Sequence, residues 1–208
     1  MKEITEIINE SNEYYNNRLL EVIQNGGITH EQYVGYLRMQ YHLTKGVQKP
    51  FLSIAAHEKT RPYKKLRDFL VRFAYEEEMH FRLAEKDLQK LNEKTGDIPL
   101  DVTLWWSYYN QGIVENPFVR LGSTCILENI GKGTHNTIKL LMSKASFLNN
   151  QNTTFLRVHM HEELPHGDQV VEALRAAKLK DADYADLVKG TKIGFVLYSR
   201  MIHWALTG

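Results

Sequence analysis

Apolar positions along the chain recur at helical rather than alternating spacing, and long stretches pass without a breaker. Phe69, Leu70, Phe73 and Phe81, for example, mark one broad buried face within a segment otherwise rich in charge. The pattern predicts seven long helices. The first covers residues 2–25 and ends at Gly26-Gly27. The second starts at Thr29, with Gln32 as its capping-box partner, and runs to about residue 56 with Pro50 inside it. The third is opened by Arg61-Pro62, where proline is tolerated, and runs to about residue 91. After the loop Gly96-Asp97-Ile98-Pro99, Asp101 caps a fourth helix through Trp105, Trp106, Tyr108 and Tyr109, which Pro117 closes. The fifth spans about 118–143. The sixth follows the polar loop 149–152 and spans about 155–177, capped by Thr153 or Thr154 and containing Pro165. The seventh starts at Asp181 or Asp183 and reaches about residue 205. There is no strong strand signal, low-complexity segment or internal repeat. Such helices bury their stripes only against one another, so the expected fold is an all-α bundle, a single domain over 1–208, whose interior can hold a metal or cofactor.

Composition narrows this picture without redirecting it. The 208 residues are 43% hydrophobic and 25% charged, ordinary for a globular protein and enough for a real core. The net charge is +1, with none of the basic excess that nucleic acid or an anionic membrane would require. No run approaches the roughly 18 apolar residues of a membrane span. The start, MKEITEIINE, lacks the apolar core of a secretory signal, and Cys125 is the one cysteine, so a cytoplasmic location is expected.

Candidate chemistry concentrates in histidines and carboxylates. On the sixth helix His159, Glu163 and His166 stand at i, i+4 and i+7, within roughly 60° around the axis, so two imidazoles and a carboxylate share one stripe. The competing register, His161, Pro165 and Asp168, places a proline at its centre. The third helix offers Glu77-x-x-His80, a spacing used by carboxylate-bridged metal bundles, with Glu76 as an alternative one turn before His80. On the fifth, Glu128 is the one charge within residues 123–130, and a buried carboxylate there needs a partner. Any one of these groups can be a solvated helix face. Together they give three histidines and three glutamates on three helices. That set suits two iron ions with open positions, whereas a single zinc closes on fewer ligands.

The motif His159-x-x-x-Glu163-x-x-His166, followed by Gly167-Asp168, resembles that of the haem-oxygenase-like di-iron oxidases. This family includes the CADD-like proteins and a fatty-acid decarboxylase that makes terminal alkenes. The resemblance implies a seven-helix haem-oxygenase-like bundle holding two iron ions, with O2 as co-substrate. It also implies oxidation of a small amino-acid-derived or fatty-acid-like substrate by C–C cleavage or N-oxygenation. Glu77, His80 and Glu128 match, in chain order, the ligands that the family draws from its earlier helices. Three positions depart from the pattern: Glu163 stands where Asp is common, Phe73 stands where some members carry their first Glu, and Pro165 lies inside the stripe. His42 is a further candidate ligand on the second helix. Arg120, Lys132 and Lys139 are candidate partners for a substrate carboxylate, whereas Tyr108 and Tyr109 are assigned to the core. The expected partners are a small-molecule substrate and a second copy of the chain in a homodimer, without nucleic acid or membrane. Three rivals stand beside this reading. One is a metal-free thiaminase-like hydrolase of the same fold using Cys125. Another is a haem protein in which Gly131 and Gly133 admit the flat ring. The last is a non-catalytic iron-binding helical protein.

Overall fold

The computed structural model describes residues 1–130, 132–160 and 166–207, excluding the side chains of His159 and Met160. Among these residues the chain forms eleven α-helices, one 3-10 turn at Glu58–Thr60, and no strand. In order they are α1 (Lys2–Gln24), α2 (His30–Thr44), α3 (Gln48–Ala56), α4 (Lys64–Glu76), α5 (Phe81–Lys90) and α6 (Leu100–Glu115). They continue with α7 (Pro117–Leu127), α8 (His135–Lys144), α9 (Thr154–Met160), α10 (His166–Ala177) and α11 (Asp181–Thr207).

The all-α class stands, but three of the seven expected helices are divided: the second into α2 and α3, the third into α4 and α5, and the fifth into α7 and α8; α9 and α10 are the described parts of the sixth, on either side of residues outside the description. Apolar periodicity survives each interruption, so it did not reveal the breaks. The physical signs are local. The first break puts Pro50 in the opening turn of α3, where its missing N–H costs nothing. Between α4 and α5 the bonding tightens to the three-residue pattern: the His80 N–H reaches the Glu77 carbonyl at 3.3 Å and the Leu83 N–H reaches that of His80 at 3.0 Å.

Helix starts follow their caps. Thr29 and Gln32 form the expected capping box at α2. Asp101 does not cap α6; Pro99 stands at that position, and Asp101 lies in the first turn, paired with Arg200 at 3.1 Å. The short α9 is capped from another helix. The buried carboxylate of Asp87 accepts the N–H groups of Thr154 and Phe155 at 3.0 and 2.8 Å, where the helix dipole favours an anion.

Leu66, Phe69, Leu70, Phe73 and Ala74 give α4 a single buried face. They join Trp105, Tyr109, Phe118 and Tyr198 in the larger core, while Tyr33, Leu37, Leu88 and Phe155 centre a second. The long α11 packs along α7 at very short range, through glycines. A β-carbon on Gly190 would lie 1.9 Å from the Val119 carbonyl oxygen, and one on Gly122 would lie 2.2 Å from that of Leu187. Since both obstacles are backbone, Gly190→Ala has to push the helices apart. Overpacking of this kind is expected to cost about 3 kcal/mol, or a melting temperature lower by roughly 6–12 °C in thermal denaturation. A variant melting with the parent protein would refute this account of the α7–α11 contact.

Candidate metal centre

Two of the three described helix breaks carry sequence-predicted ligands, and a further ligand, His166, is the first described residue of α10. Glu77 follows α4 directly and His80 precedes α5, so the Glu-x-x-His pair occupies a tight turn rather than a continuous helix. The three-residue pattern brings side chains three apart into line. Glu77 Oε2 and His80 Nδ1 accordingly lie 2.6 Å apart. Glu128 follows the last residue of α7, where the Asn129 side-chain amide donates to the Cys125 carbonyl at 2.9 Å and closes the helix end. His166 opens α10. Gly167 lets that helix start rest on the end of α7: a β-carbon there would lie 2.5 Å from the Glu128 carbonyl oxygen and 2.4 Å from Asn129 Oδ1. Gly167→Ala is therefore expected to displace His166 from Glu128 and weaken binding of a metal ion at the cluster about tenfold, as a lost supporting contact does. Metal titration of that variant at unchanged affinity would refute the positioning role.

The breaks converge. One ligand atom each from Glu77, His80 and His166 lie within 4.8 Å of one another. Glu77 Oε1 is 2.5 Å from His166 Nδ1, so the two oxygens of one carboxylate reach two different imidazoles. The imidazole rings stack at 5.4 Å, and Glu128 Oε2 lies 3.7 Å from His166 Nδ1. Oε1 of Glu77 is buried yet has no well-aligned hydrogen-bond donor. A buried oxygen in that state calls for a further partner, and a cation is one that suits it. Two imidazoles and two carboxylates form a donor set that suits iron, manganese or zinc. The residues present therefore fit a metal ion.

Electrostatics couple the four groups. Burial works to raise the Glu77 carboxyl, but the imidazoles of His166 and His80 outweigh it and hold it low, at about 2. Burial likewise works against a charged His166, but the carboxylates of Glu128 and Glu77 outweigh it and raise the group to about 11. His80 moves the same way, burial being overcome mainly by Glu77. Glu128 goes up to about 7, through burial and then through the charge of Glu77. Without metal, then, protons on the imidazoles offset the carboxylate charge.

The remaining sequence candidates separate clearly. The Glu163 assignment and the His159 side chain lie outside the described residues, as do His161, Pro165 and Gly131. Of the acidic run only Glu77 is buried; Glu76 is exposed and pairs with Arg72 at 3.6 Å. Phe73 packs edge-on against His166, with ring centroids 5.1 Å apart, and so forms an apolar wall of the cluster. His42 is not with the cluster; its Nε2 approaches the carbonyls of Thr95 and Gly96 at 3.3 and 3.1 Å. Arg120 is wholly buried under Phe51, Trp106 and Tyr109 and bonds to Ser123 and Thr124 of its own helix, which removes it from the surface-exposed cations. Tyr109 is core as expected, but Tyr108 is 42% exposed. Cys125 is fully buried, and burial pushes its thiol up to about 12, so it carries no nucleophilic thiolate at neutral pH.

A cavity of about 200 Å³ opens on the cluster, walled in part by Glu77, His80, Glu128 and His166. Sequence reasoning did not select three further wall residues: Tyr36, Gln40 and Tyr198. The Gln40 amide donates to the Tyr198 hydroxyl at 2.9 Å. The signal was available, since Gln40 is a polar side chain on the same face of α2 as Leu37 and Leu43.

Compared with solved structures, the chain is similar to a domain of unknown function with a heme oxygenase-like fold from Shewanella denitrificans OS217. The TM-score is 0.81 at 21% identity, over 98% of this chain and 89% of that one. The fold is thus haem-oxygenase-like, as the sequence motifs implied. No family model matches the chain, and no curated protein matches it. No helix among the described residues is long and apolar enough to cross a membrane.

Proposed function

We propose that the protein is a non-haem di-iron oxidase or oxygenase. It would use O2 to oxidise a small amino-acid-derived or fatty-acid-like molecule, by C–C cleavage or N-oxygenation. The observation that carries this reading is the meeting of Glu77, His80 and His166 within 4.8 Å, with Glu128 beside them, on the wall of an internal cavity. In this reading the four residues hold iron together with His159 and Glu163, and bound iron supplies the binding and activation of O2.

The chain's own residues prepare that chemistry. Glu77 and Glu128 offset cationic charge, and Glu77 presents one oxygen toward each imidazole. Phe73 blocks access behind His166, while Leu127 and Ile130 keep part of the cavity wall apolar. Lys132 lines the cavity while paired with Asp168 at 2.5 Å, which makes it the cation placed to meet a substrate carboxylate. The hydrolase reading through Cys125 loses its nucleophile to burial. A homodimer remains the proposed assembly, which sedimentation analysis checks.

Anaerobic titration with ferrous iron, read by metal analysis, tests the reading. Two iron ions per chain are expected, with O2 consumption dependent on an added substrate. His159→Ala and Glu163→Ala should each reduce the stoichiometry below two. No binding, or binding indifferent to His166→Ala, would overturn the proposal. Tight binding without substrate-dependent O2 consumption would instead support the non-catalytic iron protein.

A further inference from the structure

Helix α6 carries no charge from Val102 to Val114, and its side chains over that run are apolar or uncharged on every side. A helix of that kind belongs in an interior. Yet only part of it is covered. Val102, Trp105, Tyr109 and Ile113 enter the core, while Leu100, Leu104, Ser107, Tyr108, Gln111 and Val114 face outward. Five of the twelve exposed large apolar side chains among the described residues fall between Ile98 and Val114, with Leu100 70% and Val114 78% exposed. Another, Val196, stands on α11 one turn before Arg200, the residue that reaches Asp101 of α6. Exposures of that size leave on the order of 500 Å² in one mostly apolar patch, at the upper end of the range for a monomer and of the kind that marks an interaction site. None of these outward residues lines the cluster cavity.

We propose that this face is the contact surface between two copies of the chain, with α6 of one packed antiparallel against α6 of the other across a twofold axis. Three considerations select a second copy as the occupant. The first is area. An interface of standard size covers about 800 Å² per partner, a little over half of it apolar, which is close to what the patch offers. The second is charge at the axis. A twofold contact sets a patch against itself, so a charged side chain near the axis meets its own like. Residues 102–114 have none. The third is charge at the rim. Antiparallel pairing about Ser107 and Tyr108 brings the Asp101 end of one helix to the Glu115 end of the other. Arg200 stands at the Asp101 end with its side chain 61% exposed, and the exposed Glu115 of the second copy supplies the opposite charge. Helix α6 contributes no residue to the metal cluster, so the inference is independent of the metal reading and gives the proposed homodimer its surface.

Sedimentation equilibrium on the full chain, both metal-free and anaerobically iron-loaded, tests the proposal. The parent protein should be a dimer at micromolar concentration in both states. Leu104→Glu sets two carboxylates against one apolar contact near the axis and should raise the dimer dissociation constant a hundredfold or more, leaving monomer. Leu104 is already exposed in the single chain, so the circular dichroism spectrum and iron stoichiometry of the variant should match the parent. Leu140→Glu places the same charge on a leucine of similar exposure on α8 and should leave the dimer intact. Glu115→Lys sets a cation against Arg200 at the rim and should weaken the dimer a few-fold. A parent protein that stays monomeric throughout the micromolar range would overturn the proposal. So would a dimer that Leu104→Glu leaves intact, because the contact then lies on another face. Should Leu104→Glu fail to fold, Tyr108→Glu on the same face decides by the same measurement. The metal reading fails separately: if iron does not bind, the metal-free protein still judges the interface.

Discussion

Glu77→Ala is expected to reduce iron affinity by more than a hundredfold and to leave metal analysis near zero iron per chain after dialysis. The reason is geometric as well as electrostatic. Glu77 is the one residue whose two side-chain oxygens approach both His80 and His166, at 2.6 and 2.5 Å, so its loss removes a ligand from each imidazole's neighbourhood at once. It also removes the negative charge nearest the two stacked rings, leaving Glu128 as the remaining described carboxylate of the cluster, at 3.7 Å from His166. Supporting contacts around a metal are already worth about 10–100-fold in affinity, and a ligand shared by two imidazoles is worth more. Glu77→Gln keeps the volume but replaces one oxygen with an amide that cannot ligate, and should lose iron almost as fully. Glu76→Ala is the control. Glu76 points to solvent and pairs only with Arg72, an exposed contact of little energetic weight, so its removal should leave affinity unchanged. The two variants decide between the adjacent glutamates that sequence spacing left open. Retention of full iron binding by Glu77→Ala would remove the centre as described.

The helical class was legible because it rests on composition-wide periodicity, and seven apolar stripes do account for all eleven helices. What periodicity does not carry is where a helix stops while its stripe continues. Residues 77–80 illustrate this: Phe73, Ala74, Glu77 and Phe81 read as one helical face, and the change to three-residue bonding depends on hydrogen bonds that leave no mark in the pattern. The chemistry was legible for the same residues through a different signal, the rarity of a histidine beside carboxylates on an apolar face. Gly167 was visible as part of a motif, but its purpose follows only from Glu128 and Asn129, some 40 residues earlier in the chain, pressing against it. The cavity walls were least legible. Tyr36, Gln40 and Tyr198 are brought together by the contact of α2 with α11, a long-range pairing that no local pattern encodes.

Iron binding should be strongly pH-dependent and should release protons, because the metal-free cluster stores them. His166 is raised to about 11, so at pH 7 it is protonated, and His80 is raised in the same direction by Glu77. An imidazole must lose that proton to ligate. Displacing one proton makes apparent affinity rise about tenfold per pH unit, and displacing two about a hundredfold, between roughly pH 6 and 8. Calorimetry in buffers of different ionisation enthalpy should count one to two protons released per chain as the site fills. The same groups set an opposite trend in the metal-free protein. A histidine whose pKa is raised from 6.5 contributes stability that is complete below 6.5 and is lost as pH climbs toward about 11. A carboxyl lowered from 4.5 contributes stability that is complete above 4.5 and is lost as pH falls toward about 2. These are one interaction seen from its two partners, so the contact of Glu77 with the imidazoles supports the metal-free fold most fully between about pH 4.5 and 6.5, while Glu128, raised from 4.5 to about 7, withdraws its own support as pH rises across that span. Raising the pH should thus lower the melting temperature of metal-free protein relative to His166→Ala, while strengthening iron binding in the parent. Heats of iron binding that are identical in every buffer, together with affinity flat from pH 6 to 8, would mean that His80 and His166 are not displaced by the metal.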